Sequence, residues 1–233
     1  MTGQPPFVRR LELSALDERT VVSSIEDYNH HFEVSLTHDG DVVTDITARA
    51  VRAPWSPCVD AAGELRELIG RPVGERPRVD APDRHCTHQL DIACVGVRFA
   101  GSGLDHRSFD AVVADWDEPE GHAVVERDDG LRLEWTVARS SITSPPPYEG
   151  RLLGAGFTTW ALSTLDPDTA EAALILRRAA WMSPSRGLDL DQYAVLPESG
   201  LPEGVCYSAQ PQRIHVARRN RGMARVVQPP SRQ

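Results

Sequence analysis

Strict alternation of side-chain character on both sides of Asp39-Gly40 constrains the fold of this chain more than any other feature. The alternation runs over residues 28–37 and resumes over residues 42–50. Because successive side chains of a strand point to opposite faces, a period of two is typical of half-buried strands. Glycine accepts a positive φ at little cost, so Asp39-Gly40 predicts a hairpin turn between two antiparallel strands.

Two helices are predicted after the hairpin, and each begins beside a cysteine. Ser56 suits the N-cap of a first helix that ends at Gly70, which places Cys58 in its first turn. A second helix begins at Cys86. Free N–H groups and the positive end of the helix dipole favour a thiolate at a helix start. We therefore expect Cys58 and Cys86 to ionise, as metal coordination requires.

Histidines stand beside Cys86 and in the first strand. His88 follows Cys86 by two residues, so its imidazole can share an ion with the thiol or act as its base. His30 and His31 point to opposite faces of the first strand, so only one of them should reach a shared site. The candidate metal ligands are His30, His31, Cys58, Cys86 and His88. A metal-free alternative uses Cys86 as nucleophile, His88 as base and Asp91 as the group that orients the base.

Several segments resemble a known bacterial family. They are DYNHHFEV, HDG, APWSPC, LIGRPV and HCTHQLDIA, followed downstream by TLDPDTAEAALILRRA, SRGLDLD and GVCYSAQP. On these segments most of the chain resembles the proteins of the domain-of-unknown-function 2889 family (DUF2889). The family implies no established activity, but it implies which positions matter. These are His30, His31, Trp55, Cys58, Cys86, Thr87, His88, Asp91, Arg178, Arg186, Cys206 and Gln210.

The first half also resembles, more remotely, the U-type iron-sulfur cluster scaffold proteins. In that family one cysteine follows the hairpin and a His-Cys pair opens a later helix, as Cys58 and His85-Cys86 do here. The family also carries a cysteine and an aspartate before the first strand. This chain has no cysteine there; the region contains Glu26, Asp27, His30 and His31. With that thiolate lacking, a mononuclear zinc or iron site suits the remaining ligands better than a cluster.

The second half predicts an α+β arrangement, so the whole chain is expected to belong to the α+β class. Strands are predicted at residues 109–116, 122–127 and 131–137, with a hairpin turn at Asp129-Gly130. Helices are predicted at 156–165 and 167–182, the second capped by Asp166. We expect an N-terminal arm (1–24), a metal or thiolate unit (25–103), an α+β unit (104–210) and a basic tail (211–233).

Three further side chains of the second half have two interpretations each. Arg178 and Arg186 flank the end of the last helix, where planar guanidinium groups can clamp a carboxylate or phosphate. Charges near a helix C-terminus that simply face water are the alternative. Cys206 either returns to the thiol site or is a buried thiol, since free cysteine is among the most buried residue types.

Composition excludes several functions. A formal charge of −9 argues against a nucleic-acid surface. No apolar run approaches the length of a membrane helix, and the start lacks the apolar core of a secretory signal, so a cytoplasmic protein is expected. Four scattered cysteines favour reduced thiols over a disulfide framework. The glycine-rich phosphate and dinucleotide motifs do not occur, so no nucleotide cofactor is expected.

Two function classes follow from these observations. The first is an enzyme that acts on a small organic substrate with a Zn or Fe ion, which activates water or polarises a carbonyl. The second is a non-catalytic metal or iron-sulfur carrier, as the scaffold-like layout suggests. The helical second half is larger than a scaffold needs and favours the enzyme. The oligomeric state is left open by the sequence.

Overall fold

An antiparallel sheet of eight strands is the main element of the computed structural model, which describes residues 5–114, 120–138 and 140–229. The strand order is β4-β3-β2-β1-β5-β6-β7-β8. The strands are β1 (Phe7–Asp17), β2 (Thr20–Glu26), β3 (His31–His38), β4 (Val43–Arg52), β5 (His106–Val113), β6 (Gly121–Arg127), β7 (Arg132–Ala138) and β8 (Ser141–Ser144). The helices are α1 (Thr87–Ala100), α2 (Phe157–Thr164) and α3 (Pro167–Met182). The predicted α+β class is confirmed.

Short 3₁₀ segments complete the described secondary structure. They are Ser56–Leu68, Pro82–Arg84, Ser183–Gly187, Leu190–Gln192, Leu196–Ser199 and Tyr207–Ala209. In the described part of the chain, no helix is both long and apolar enough to cross a membrane.

The predicted hairpin is present as β3 and β4. The two strands pair antiparallel, with Val34 opposite Ala48 and Leu36 opposite Ile46. Gly40 has a φ of 111°, which a side chain would disfavour. The Asp39 carboxylate accepts the N–H groups of residues 41 and 42 within the turn, each at 2.9 Å. Apolar side chains of β3 are buried, as the alternation predicts.

Residues 5–26 form strands over most of their length, whereas an arm was predicted over residues 1–24. Residues 7–17 and 20–26 form β1 and β2, and β2 pairs with β3 along its whole length. The reason is that Leu11, Leu13, Val21 and Ile25 are all buried, which an arm packed only in part would not achieve. Residues 1–4 of the predicted arm lie outside the described residues.

Helix α1 packs on β2 and β3 through a close contact at Gly96. A Cβ atom built on Gly96 would lie 3.1 Å from Oγ of Ser23 and 3.2 Å from Cδ2 of Leu36. Ser23 in turn donates its hydroxyl to the carbonyl of Ile92, at 2.9 Å. The small residue therefore lets the helix approach the sheet closely. This packing holds the first turn of α1 over the start of β3.

The contacts divide the chain into two compact units. One, called the site unit here, contains residues 11–107 and 189–224; the other, called the meander unit, contains the described parts of 1–10, 108–188 and 225–233. These boundaries differ from the predicted ones, since residues 211–224 of the predicted basic tail pack in the site unit. The carbonyl of Arg218 accepts the N–H of Ser56 at 2.8 Å, and Asn220 donates its N–H to Pro54 at 2.9 Å. Residues 230–233 lie outside the described part.

In the meander unit, β5 to β8 pair in sequence order as an antiparallel meander. Asp166 caps α3 and accepts the N–H groups of residues 168 and 169, as the Asp-Pro signal predicts. Strand β5 ends at Val113. The last two residues of the predicted strand, 115 and 116, lie outside the described residues.

Candidate functional site

A tight turn over Asp27–His30 places two ligand-type side chains in the core of the site unit. The N–H of Asp27 donates to the carbonyl of His30 at 2.8 Å and closes the turn. Oδ1 of Asp27 accepts the N–H groups of Asn29 and His30, each at 2.9 Å, and also lies 2.9 Å from Nδ1 of His30. This is the hydrogen bonding of an Asx turn. The Asp27 carboxylate therefore fixes both the turn and the His30 ring.

Helix α1 brings His88 onto this turn. The helix begins at Thr87, and the rings of His88 and His30 stack with centroids 3.9 Å apart and planes inclined by 22°. The ring of Phe32 lies 5.8 Å from His30 and 6.0 Å from His88. One ligand atom from each of Asp27, His30 and His88 lies within 4.8 Å of the others. Within residues 5–114, 120–138 and 140–229, this is the single group of three or more such residues.

His31 points away from the group. Its side chain is 29 % exposed, with Nδ1 3.9 Å from Oε1 of Glu26 and Nε2 3.8 Å from Oε1 of Glu33. Of the two adjacent histidines predicted as alternatives, the structure brings His30 to the site. The turn explains this selection, because His30 lies in it and is held by the Asp27 carboxylate, whereas His31 is the first residue of β3.

The cysteines form a second group. Sγ of Cys58 lies 3.3 Å from Oγ of Ser208, and the carbonyl of Cys58 accepts Nε2 of Gln89 at 3.2 Å. Cys206 is near enough to Cys58 and Cys86 for its charge to disfavour their ionisation. Neither Cys58 nor Cys86 belongs to the three-residue cluster of ligand atoms found in the described residues. Of the five predicted ligands, His30 and His88 lie in the imidazole-carboxylate group, Cys58 and Cys86 lie in the thiol group, and His31 lies in neither.

Burial decides the protonation of the thiols. It raises the pKa of Cys58 to about 11 and raises the pKa of Cys86 still further. The backbone N–H groups of Gln89 and His88 lower the pKa of Cys86, as a helix start should, but by less than burial raises it. The expectation of two thiolates is corrected here. In addition, Cys58 stands in a 3₁₀ segment, Ser56–Leu68, whose N-cap is Trp55 instead of Ser56.

Two other predicted site elements lie elsewhere. Oδ1 of Asp91 is 3.8 Å from Nη2 of Arg76, and the carboxylate that belongs to the histidine group is Asp27. Arg178 and Arg186 lie in the meander unit, where the Arg186 guanidinium donates to the carbonyl of Pro5. The anion clamp stays a prediction.

We expect one fast-reacting thiol per folded chain. Cys58, Cys86 and Cys94 are buried, and burial raises the pKa of each, that of Cys94 to about 11. With a pKa of about 11, roughly one thiol in a thousand is ionised at pH 8. Cys206 is half-buried and should react first. A disulfide-reagent titration at pH 8 measures this, and a Cys206→Ser variant should remove the fast phase. Any fast thiol that remains in that variant would contradict the prediction.

Comparison with family models, with curated proteins and with solved structures found no match for this chain. The resemblances to DUF2889 and to the U-type scaffold proteins therefore stay predictions. The candidate site stands on its own geometry.

Asp27 belongs to the group of ligand-type side chains but is absent from the predicted set of five ligands. Its signal was present in the string Asp27-Tyr28-Asn29-His30, since an aspartate two or three residues before a ligand can accept the N–H groups of the intervening turn. That signal becomes specific only when the turn conformation is known.

Proposed function

We propose that this protein is a metal-dependent enzyme in which Asp27, His30 and His88 hold a Zn or Fe ion that acts on a small organic substrate. The observation that carries the proposal is the convergence of these three side chains within 4.8 Å. All three are buried. Asp27 and His30 are paired with each other, and the imidazole of His88 stacks on that of His30, so a carboxylate and two imidazoles meet in the core, where an ion can bind them together.

The donor set suits a catalytic ion. Two imidazoles and one carboxylate bind zinc in hydrolytic sites and iron(II) in oxygenases, and in both cases three protein ligands leave a position open for water or substrate. Ligand atoms of a tetrahedral zinc lie roughly 3.3 Å apart, which follows from bonds of 2.0–2.1 Å. The three ligand atoms lie within 4.8 Å of one another, and the stacked imidazoles would turn about their side-chain bonds to point both lone pairs at one ion. Such an ion supplies Lewis acidity and lowers the pKa of bound water.

The residues of the chain prepare His30 for this role. A carboxylate only accepts hydrogen bonds, so the contact to Asp27 places the His30 proton on Nδ1 and leaves the lone pair on Nε2. Phe32 covers the two imidazoles with an apolar ring and keeps water from one side of them. Since an apolar environment strengthens electrostatic interactions, the proposed ion would polarise its substrate more effectively there.

Metal content tests the proposal. In protein purified without oxygen, we expect about one Zn or Fe per chain by mass spectrometry of the metals. Asp27→Asn keeps the oxygen that accepts the turn hydrogen bonds but removes the charge, and His88→Gln removes an imidazole. Both should lose most of the metal. His31→Gln is the matched control, because its imidazole lies outside the group, and it should keep the metal. Equal metal content in all four proteins would refute the assignment.

The carrier is the second candidate, and the thiol group of Cys58, Cys86 and Cys206 favours it. Cys86→Ser separates the two functions. If the ion is held by Asp27, His30 and His88, the variant retains the metal. If thiolates hold a cluster, the variant loses both metal and sulfide, together with a visible charge-transfer band. The burial of Cys58 and Cys86 weighs against a carrier, which must pass its cargo to a partner.

We propose the cytoplasm as the location, a small molecule as the substrate and no nucleic-acid partner. The four free cysteines and the formal charge of −9 support these points.

A further inference from the structure

Arg52, the last residue of β4, has its guanidinium buried against the turn that carries the proposed ligands. Nη1 donates to the carbonyl of Tyr28 at 2.9 Å. Nη2 donates to the carbonyls of Asp27 at 2.7 Å and His30 at 3.2 Å, and it also lies 3.2 Å from Oε1 of Glu26. Three of the four carbonyls of the turn therefore face one cation.

This arrangement has a physical consequence for the turn. Carbonyl dipoles that point in the same direction repel one another, and burying them without donors costs free energy for each group. The planar guanidinium offers five donors in a fixed fork, so it can satisfy several carbonyls at once. The N–H groups of Asn29 and His30 meanwhile donate to the Asp27 carboxylate. The turn is therefore held by a cation through its carbonyls and by an anion through its N–H groups.

A segment near the C-terminus holds the Arg52 guanidinium in place. Nη1 of Arg52 also donates to the carbonyl of Met223 at 2.8 Å. The segment 218–223 is fixed by Asp191, whose carboxylate accepts Nε of Arg219 at 2.9 Å and the N–H of Gly222 at 2.8 Å. The amide of Asn220 donates to the carbonyl of Ala53 at 3.0 Å. Part of the predicted basic tail thus contacts the residue that supports the site.

We infer that Arg52 is the positioning residue of the Asp27–His30 turn, and that the segment 218–223 keeps its guanidinium in place. In this role Arg52 sets where the carboxylate of Asp27 and the ring of His30 lie, although it is not itself a ligand. The inference rests on the proposed function for the identity of the ligand, a divalent ion. The geometry of the turn does not depend on that ion.

Zinc affinity of the Arg52→Gln and Arg52→Lys variants tests the inference, by competition with a chromophoric chelator. Loss of a group that orients a ligand typically weakens metal binding ten- to a hundredfold, and we expect this range for Arg52→Gln. Lysine keeps the charge but lacks the fork, so Arg52→Lys should rescue little of the loss. Arg49→Gln is the control, because Arg49 lies on the same strand but pairs with Glu33 at the surface. Folded Arg52→Gln protein with wild-type zinc affinity would overturn the inference.

Two further measurements keep the test decisive if Arg52→Gln does not fold. Asp191→Ala removes the carboxylate that anchors Arg219 and Gly222 without touching Arg52 or the ligands, and it should weaken zinc binding severalfold; unchanged affinity would overturn the role of this anchor. The ¹⁵N spectrum of the His30 ring needs no metal. We expect the hydrogen-bonded Nδ1–H signal in the wild type and its loss in Arg52→Lys, and its retention there would overturn the inference. A wild-type protein that binds no zinc would refute the proposed function alone, and the ¹⁵N spectra would then decide the role of Arg52.

Discussion

Replacing Phe32 by alanine is expected to lower the free energy of unfolding of the site unit by about 3–5 kcal/mol, the usual cost of emptying a phenylalanine site in a core. Phe32 is fully buried between Ile25 on β2 and Ala50 on β4. Its ring also lies beside those of His30 and His88. On the proposed function, the variant should therefore lose metal affinity together with stability. Urea unfolding followed by far-UV circular dichroism measures the first effect.

Two controls separate packing from charge on this strand. Phe32→Leu keeps most of the apolar volume, so it should lose less than half as much stability as the alanine variant. Glu33→Ala removes a partner of Arg49 at the surface, and exposed ion pairs contribute about 0–1 kcal/mol. If Phe32→Ala changed stability no more than Glu33→Ala, the burial of Phe32 in the core would be incorrect.

Elements with strong local signals were predictable from the sequence. The period of two and Asp39-Gly40 predicted β3 and β4, and the Asp166-Pro167 pair predicted the start of α3. Strand β2 was harder to predict from the sequence. Ser23 reads as a polar residue, but its hydroxyl donates to the carbonyl of Ile92 and is buried. Such a serine weakens the hydrophobic alternation without weakening the strand.

The candidate site was predictable only in part, because its geometry depends on pairing between distant segments. His30 and His88 were singled out as residue types, but their stacking depends on how α1 packs on the sheet. The place of Asp27 in the candidate site depends on the conformation of one turn. The prediction that Cys58 and Cys86 ionise was wrong for a different reason. A helix start can be recognised in a sequence, whereas the desolvation that raises the pKa of Cys86 depends on tertiary burial.

The C-terminal segment shows the limit of interpreting charge as exposure. Its arginines predicted a basic tail, solvated or docked, and the structure has Arg219 buried beside Asp191, where it donates to the carbonyl of Pro54 at 3.0 Å. A guanidinium can be buried when carboxylate and carbonyl acceptors surround it. Asp191 lies 28 residues before Arg219 in the chain, and Pro54 lies 165 residues before it. A local pattern does not contain that information.

Replacing Trp135 by alanine should lower the free energy of unfolding of the meander unit by about 3–5 kcal/mol, as expected for Phe32→Ala in the site unit. Its side chain is fully buried on β7, with ring centroids 5.1 Å from Tyr148 and 5.7 Å from Phe157. Removing the indole would therefore empty the centre of an aromatic cluster. Far-UV circular dichroism in urea measures the loss, because tryptophan fluorescence changes with the substitution itself.

Trp135→Phe distinguishes the packing of the indole from its hydrogen bonding. Nε1 of Trp135 is buried and has no hydrogen-bond partner among the described residues. Replacing it by carbon removes the desolvation cost of that N–H, which offsets part of the lost contact area. We expect a loss well below half that of the alanine variant. Trp181, which is 48 % exposed on α3, is the control, and Trp181→Phe should change stability by about 0.5 kcal/mol or less. A loss for Trp135→Phe as large as for Trp135→Ala would mean that the N–H has a partner, for instance a buried water, whose hydrogen bond stabilises the cluster.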